Sequence, residues 1–215
     1  MADGTAPPLT DEAADLRVTS TETVFEGSVW DVRRDVVELA DGQTVTRELI
    51  AHPGAVGILA LDDDDRVLLV RQYRHPVRSY LWEPPAGLLD VPGEPADETA
   101  RRELYEEAHL RADDWHVLVD YYNSPGSSAE SFRCFLARGL HEVPEGERHH
   151  GHGEERDMPM RWVPLDEVVD TVLAGRVHNP TLVLGVLAAA ASRDRGWSTL
   201  RPADTPWPER SPQRA

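Results

Sequence analysis

The sequence predicts an α+β fold, or a mixed α/β sandwich, and three observations carry that prediction. Two apolar β-type runs, 55–61 and 66–73, are joined by the acidic turn Asp62–Asp65, as in a hairpin of a main sheet. The run from Pro95 to His109 is rich in Ala, Glu, Arg and Leu and has proline at its first turn, so it reads as a helix. Strands and helices then follow one another without the strict alternation that an all-parallel sheet requires.

In chain order, residues 1–16 are polar, proline-containing and aperiodic, and are expected to be disordered. Residues 17–50 hold three short β-like runs, TETVFEG, VWDVRRDVVEL and TVTRELIA, with Asp41-Gly42 as a turn between the last two. They predict a small antiparallel sheet ahead of the main domain, which is assigned to 51–195. Inside that domain the hairpin leads to a Gly- and Pro-rich loop, 83–93, and then to the helix. Strands follow at 116–122 and 131–137 around the loop 123–130. The stretch 140–157 is polar and rich in Glu, His and Gly, and reads as a mobile functional loop or a disordered insertion. A short strand at 160–163, a helix at 165–174 ended by Gly175, and a last apolar helix complete the domain. Asn179 caps that last helix and Pro180 takes its first position. The segment 196–215, with Pro202, Pro206, Pro208 and Pro212 among charged residues, is expected to be a disordered tail.

A chain of 215 residues, 40% hydrophobic, can bury one core of ordinary size. Its 39 acidic and 22 basic residues give a net charge of −17, a field that repels nucleic acid and anionic membranes. Neither is an expected partner. A polyanionic substrate would have to be met through metal ions or a local group of arginines, and every basic residue here is Arg. Cys134 stands alone, so no internal disulfide forms and a reducing cytoplasm is the expected home. The N-terminus lacks the features of a signal peptide, and the longest apolar run, 181–191, falls short of the roughly 20 residues of a membrane span.

The segment 87–110 carries the chemistry. On a helix Glu103, Glu106 and Glu107 stand at i, i+3 and i+4, so three carboxylates share one side. Their repulsion calls for a cation, and oxygen-only ligands favour a hard ion such as Mg²⁺, with Mn²⁺ as a substitute. Charge pattern alone also fits a solvated face on which Arg102 supports Glu106. His149, His150 and His152 form a second cluster of ligating types, better read as surface histidines.

The same segment resembles the Nudix box, G-x5-E-x7-R-E-U-x-E-E-x-G-U with U apolar, through Gly87, Glu94, Arg102, Glu103, Leu104, Glu106, Glu107 and Leu110. It departs twice: six residues separate Gly87 from Glu94, and His109 stands where the family has glycine at the helix end. The extra residue lies in a loop, and the helical register of the carboxylates is untouched. The resemblance implies an α/β/α sandwich with a mixed sheet. It also implies that Glu103, Glu107 and the carbonyl of Ala86 are metal ligands, with Glu106 beside them, Arg102 orienting the carboxylates and Glu94 structural. A base outside the box is implied on the 149–158 loop, at Glu154 or Glu155.

Two flanking stretches, Val70-Arg71-Gln72-Tyr73-Arg74 with Trp82 to Gly87, and Asn123-Ser124-Pro125-Gly126, resemble the ADP-ribose pyrophosphatase branch, Pro125 standing where that branch carries its marker proline. That branch implies a homodimer in which the N-terminal sheet exchanges between protomers. Arg47 and Glu48 would then come from one subunit, while Arg71, Arg74 and Glu83 make polar contacts to diphosphate and ribose. Trp30, a flat indole in a polar strand, is the candidate to stack on adenine, or a core or dimer-interface residue. The implied activity is Mg²⁺-dependent hydrolysis of ADP-ribose to AMP and ribose 5-phosphate. The alternatives are the same chemistry on a nucleotide sugar, dinucleotide or oxidised nucleotide, and a non-catalytic sensor of ADP-ribose.

Overall fold

The computed structural model describes residues 9–149 and 158–210. It divides after Leu49 into two compact units. In the first, residues 9–17 are exposed and form no strand or helix. Strands β1 (Val18–Phe25), β2 (Asp31–Glu38) and β3 (Thr44–Ala51) then build a three-stranded sheet in that order. The β2–β3 turn closes through the Leu39 and Gly42 N–H groups, with Gly42 at φ +81°, a conformation natural to glycine.

The second unit has a five-stranded mixed sheet with helices on both faces. Its strands are β4 (Ala55–Ala60), β7 (Ala86–Leu88), β8 (Leu110–Tyr122), β9 (Ser131–Glu142) and β11 (Arg201–Pro202), in the order β11-β8-β9-β4-β7. β4 and β9 run parallel and the other pairs antiparallel. A second, antiparallel sheet has the order β10-β5-β6, from β5 (Arg66–Arg74), β6 (Ser79–Glu83) and β10 (Met160–Pro164). The helices are α1 (Ala96–Ala108), α2 (Leu165–Leu173) and α3 (Pro180–Arg193).

Period-two alternation decides which helix each strand residue meets. Val56, Ile58 and Ala60 of β4, with Phe135 and Ala137 of β9, face Ala100, Leu104 and Ala108 of α1. Their neighbours Leu59, Cys134 and Leu136 face Leu165 and Val168 of α2 and Leu182, Val186 and Ala189 of α3. Burial on both faces is why β4 reads as an unbroken apolar run. α3 begins as its sequence indicates: the Asn179 side chain accepts from the Leu182 N–H, and Pro180 takes the first turn.

The structure adds to the sequence reading in three places. The loop 83–93 contains β7, paired with β4, and β6 precedes it. Strands β8 and β9 run well beyond the apolar windows, because Leu110 and Trp115 are buried and a bulge near Leu118 resets the alternation. The expectation of disorder after Gly196 is corrected for residues 197–210: β11 pairs with β8, and Ala203 and Trp207 pack against the α1-side core. The reason is Arg133, only 2% exposed, whose guanidinium needs acceptors. Asp120 supplies its carboxylate at 2.7 and 3.0 Å, the Thr205 carbonyl accepts at 2.7 Å, and the Trp207 ring covers the cation. No helix among the described residues is long and apolar enough to cross a membrane.

Candidate active site

The carboxylates of α1 are positioned by their helix and by the strand it packs on. Leu104, fully buried, pins the helix to the sheet, which turns Glu103 and Glu107 toward β7. The Ala86 N–H donates to Glu107 Oε2 at 3.0 Å. Glu103 lies so close to Gly87 that a Cβ there would stand 2.1–2.3 Å from Glu103 Cδ, Oε1 and Cγ, so any larger residue would displace this side chain.

Arg102 holds the carboxylates together. It donates through Nε and Nη2 to Glu94 at 3.2 and 3.1 Å, and through Nη1 to Glu103 at 2.6 Å and Glu106 at 3.2 Å. This charge-assisted bonding, chiefly from Arg102, holds the Glu94 carboxyl below its usual range, with Thr99 adding a hydrogen bond at 2.8 Å. The guanidinium in turn is held firmly protonated, first by Glu94. Among the described residues no group of three or more His, Cys, Asp or Glu side chains forms a ready metal cage. α1 ends on His109 at φ 53°, ψ 38°, the left-handed conformation that glycine usually supplies, and its Nδ1 is buried with no hydrogen-bond partner among the described residues.

Ala86 and Gly87 also line a cleft of about 420 Å³, which is walled by Arg74, Glu83, His52, Asn123, Glu130 and Thr181 among others. Glu83 is 2% exposed and takes the forked Arg74 guanidinium at 2.6–3.2 Å. The structure thus brings Ala86, Arg74 and Glu83 to one cleft, with Glu103 and Glu107 against its Ala86–Gly87 wall. Two other candidates do not line it: Arg71 lies over the Tyr80 and Trp82 rings, and Pro125 is exposed on its loop. Trp30, Arg47 and Glu48 belong to the N-terminal unit, where Trp30 packs on Phe25, Glu48 takes the Arg34 guanidinium, and Arg47 donates to the Thr46 carbonyl. Glu154 and Glu155 lie outside the described residues.

The sequence did not point to His52, Glu130 or Thr181, and Asn123 stood out only within the stretch 123–126. The loop 123–130 is tied to the turn that carries His52 by the Ile50 N–H to Ser127 and the Ala129 N–H to Ile50, pairings that no local pattern announces.

Comparison with known proteins places these features in a context. The NUDIX domain family matches residues 51–182. The chain is 47% identical over 196 residues to a Mycobacterium tuberculosis protein named ADP-ribose pyrophosphatase, covering 91% of this chain and 93% of that protein. It is 33% identical over 170 residues to the methanol dehydrogenase activator of Bacillus methanolicus, covering 79% and 90% of the two chains. A crystal structure described as an ADP compounds hydrolase superimposes with a TM-score of 0.70 at 22% identity, over 87% of this chain and 99% of that one, and so shares its fold.

Proposed function

The chain belongs to the Nudix family, and from that membership we propose that it is a divalent-metal-dependent hydrolase that cuts the pyrophosphate of ADP-ribose to AMP and ribose 5-phosphate. The observation that carries this reading is the meeting of Glu103 and Glu107 with Ala86–Gly87 at the wall of the cleft. Similarity to the M. tuberculosis pyrophosphatase over nine-tenths of both chains selects ADP-ribose.

The donor set suits a hard cation. Glu103, Glu107 and the Ala86 carbonyl would hold it, with Glu106 beside them. Oxygen ligands numbering fewer than a full cage fit Mg²⁺, which keeps waters and takes substrate phosphates as further ligands; Mn²⁺ would substitute. Held there, the cation would supply charge neutralisation for the diphosphate. Arg102 holds Glu103 and Glu106 in register, and Glu94 fixes Arg102 from the far side.

In the reaction the oxygen of water forms a bond to one phosphorus, the bridging P–O bond breaks with its oxygen leaving on the other phosphate, and a carboxylate, Glu154 or Glu155, takes the water's proton. Arg74 and Arg71 would supply cationic contacts to diphosphate, and Glu83, locked to Arg74, an acceptor for the ribose side. Pro125 would shape the loop beside the substrate. We assign Trp30 to adenine stacking and Arg47 and Glu48 to a site completed in a homodimer. Val18, Val24, Phe25 and Val29, 40–55% exposed on the N-terminal unit, support a partner subunit there. A buried lone thiol supports a cytoplasmic setting.

Glu107→Gln is expected to abolish metal-dependent turnover of ADP-ribose, and a variant with near-wild-type rate would remove Glu107 from the metal site. Among Glu154→Gln and Glu155→Gln, one large loss in kcat is expected; two mild effects would move the base elsewhere.

A further inference from the structure

One group in the cleft has geometry that the reading above does not use. His52 is 8% exposed and opens the turn His52-Pro53-Gly54, whose Gly54 adopts φ +89°. That turn aims the Gly54 N–H at His52 Nδ1, 3.1 Å away. An imidazole nitrogen that accepts a hydrogen bond carries no proton, so the proton of the neutral ring lies on Nε2. Nε2 faces Glu130 Oε1 at 3.9 Å. This is too long for a direct hydrogen bond but close enough for the N–H dipole to act on a carboxylate in a half-buried setting.

Glu130 is held on its other sides. Its Oε2 accepts from Asn123 Nδ2 at 2.9 Å, its carbonyl accepts from the Asn123 N–H, and its own N–H donates to Ser128 Oγ at 3.1 Å. The His52 turn is anchored as well, because the Gly54 carbonyl accepts from the Leu89 N–H just beyond β7. The turn therefore connects the loop that carries Glu130 to the strand that carries Ala86 and Gly87, and His52, Asn123, Glu130, Ala86 and Gly87 all line the cleft.

Resting on the function proposed above, we propose that His52 is a positioning residue. Pinned as the Nε2–H tautomer by Gly54, it holds Glu130 with Oε1 toward the cleft, where the carboxylate accepts a hydrogen bond from a sugar hydroxyl of the substrate. His52 acts through Glu130 and sets binding rather than the chemical step.

Two substitutions separate this role from a merely structural one. His52→Asn keeps an acceptor near Nδ1 for the Gly54 N–H but removes the donor toward Glu130. His52→Gln keeps an N–H near Nε2 but gives up the bond to Gly54. Positioning predicts that the Asn variant raises KM for ADP-ribose about tenfold with kcat within about threefold, the pattern of lost uniform binding, while the Gln variant stays near wild type. It also predicts that His52→Asn adds nothing once Glu130→Gln is present. A near-normal Asn variant with an impaired Gln variant, equal effects from both, or additive losses with Glu130→Gln would overturn it. Independently of turnover, ¹⁵N NMR of the histidine rings should show His52 protonated at Nε2 and perturbed by Glu130→Gln. A ring protonated at Nδ1, or one indifferent to Glu130, overturns the inference even if ADP-ribose proves not to be the substrate.

Discussion

Replacing Gly87 by alanine perturbs the site through a single atom. Gly87 lies outside the left-handed region, so the backbone accepts alanine, and the lesion is the new Cβ, 2.1 Å from Glu103 Cδ. Ordinary contact needs at least 3.4 Å, so the Glu103 carboxylate must retreat by about 1.3 Å and drag on its bond to Arg102. Because the obstructed group is a flexible side chain, the stability cost should be about 1–2 kcal/mol, a fall in Tm of roughly 2–8 °C. The catalytic cost is larger: misplacing a reacting group by about 1 Å costs about 10²-fold in rate, or roughly 2.7 kcal/mol. Steady-state kinetics with ADP-ribose over a range of Mg²⁺ concentrations, beside a thermal melt, measures both. Gly146→Ala, where none of the described residues lies within 4 Å of the added atom, is the control and should leave both unchanged. A Gly87→Ala enzyme within twofold of the wild-type rate would mean that Glu103 can move without consequence and would remove it from the metal site.

Truncation after Leu200 removes the Thr205 carbonyl and the Trp207 ring from buried Arg133, and urea unfolding should show a loss of about 3 kcal/mol; an unchanged midpoint would make the tail a passenger. His109→Gly relieves a left-handed backbone and removes a buried Nδ1 that has no partner among the described residues, and should raise Tm by roughly 2–4 °C, about 1 kcal/mol; a lower Tm would mean that the ring's packing outweighs the strain. Burial pushes the Cys134 thiol from its ordinary 9.0 up to about 12. The unfolded chain therefore loses this proton first, and the thiol's contribution to stability is complete below pH 9 and lost as pH rises toward 12. A thiol reagent at pH 8 should label Cys134 only at the rate of unfolding, and rapid labelling of the native protein would contradict its burial.

Local patterns announce most of this fold. β4 and the first half of β9 show themselves as apolar runs, α1 by its proline start and periodicity, and α3 by Asn179-Pro180. β7 was hidden in its loop because three residues are too few to show a period. β11 was hidden because what orders it is Arg133, about 70 residues away in sequence, and prolines in isolation argue for a free tail. The site divides in the same way. Glu103, Glu106 and Glu107 are legible because one helix fixes their spacing, and Arg102 because it lies in the same turn. The meeting of His52 with Glu130 depends on backbone bonds between segments that no spacing relates.

The Glu103–Glu107 face of α1 and the cleft beside β7 serve metal-dependent cleavage of a diphosphate, with ADP-ribose as substrate. The most direct measurement is product analysis after incubating the protein and Mg²⁺ with ADP-ribose, nucleotide sugars, dinucleotides and oxidised nucleoside triphosphates in parallel. Preferential release of AMP and ribose 5-phosphate from ADP-ribose is expected, abolished by chelation of the metal. Preference for another compound would contradict the substrate, and no turnover of any of them would contradict the reaction itself.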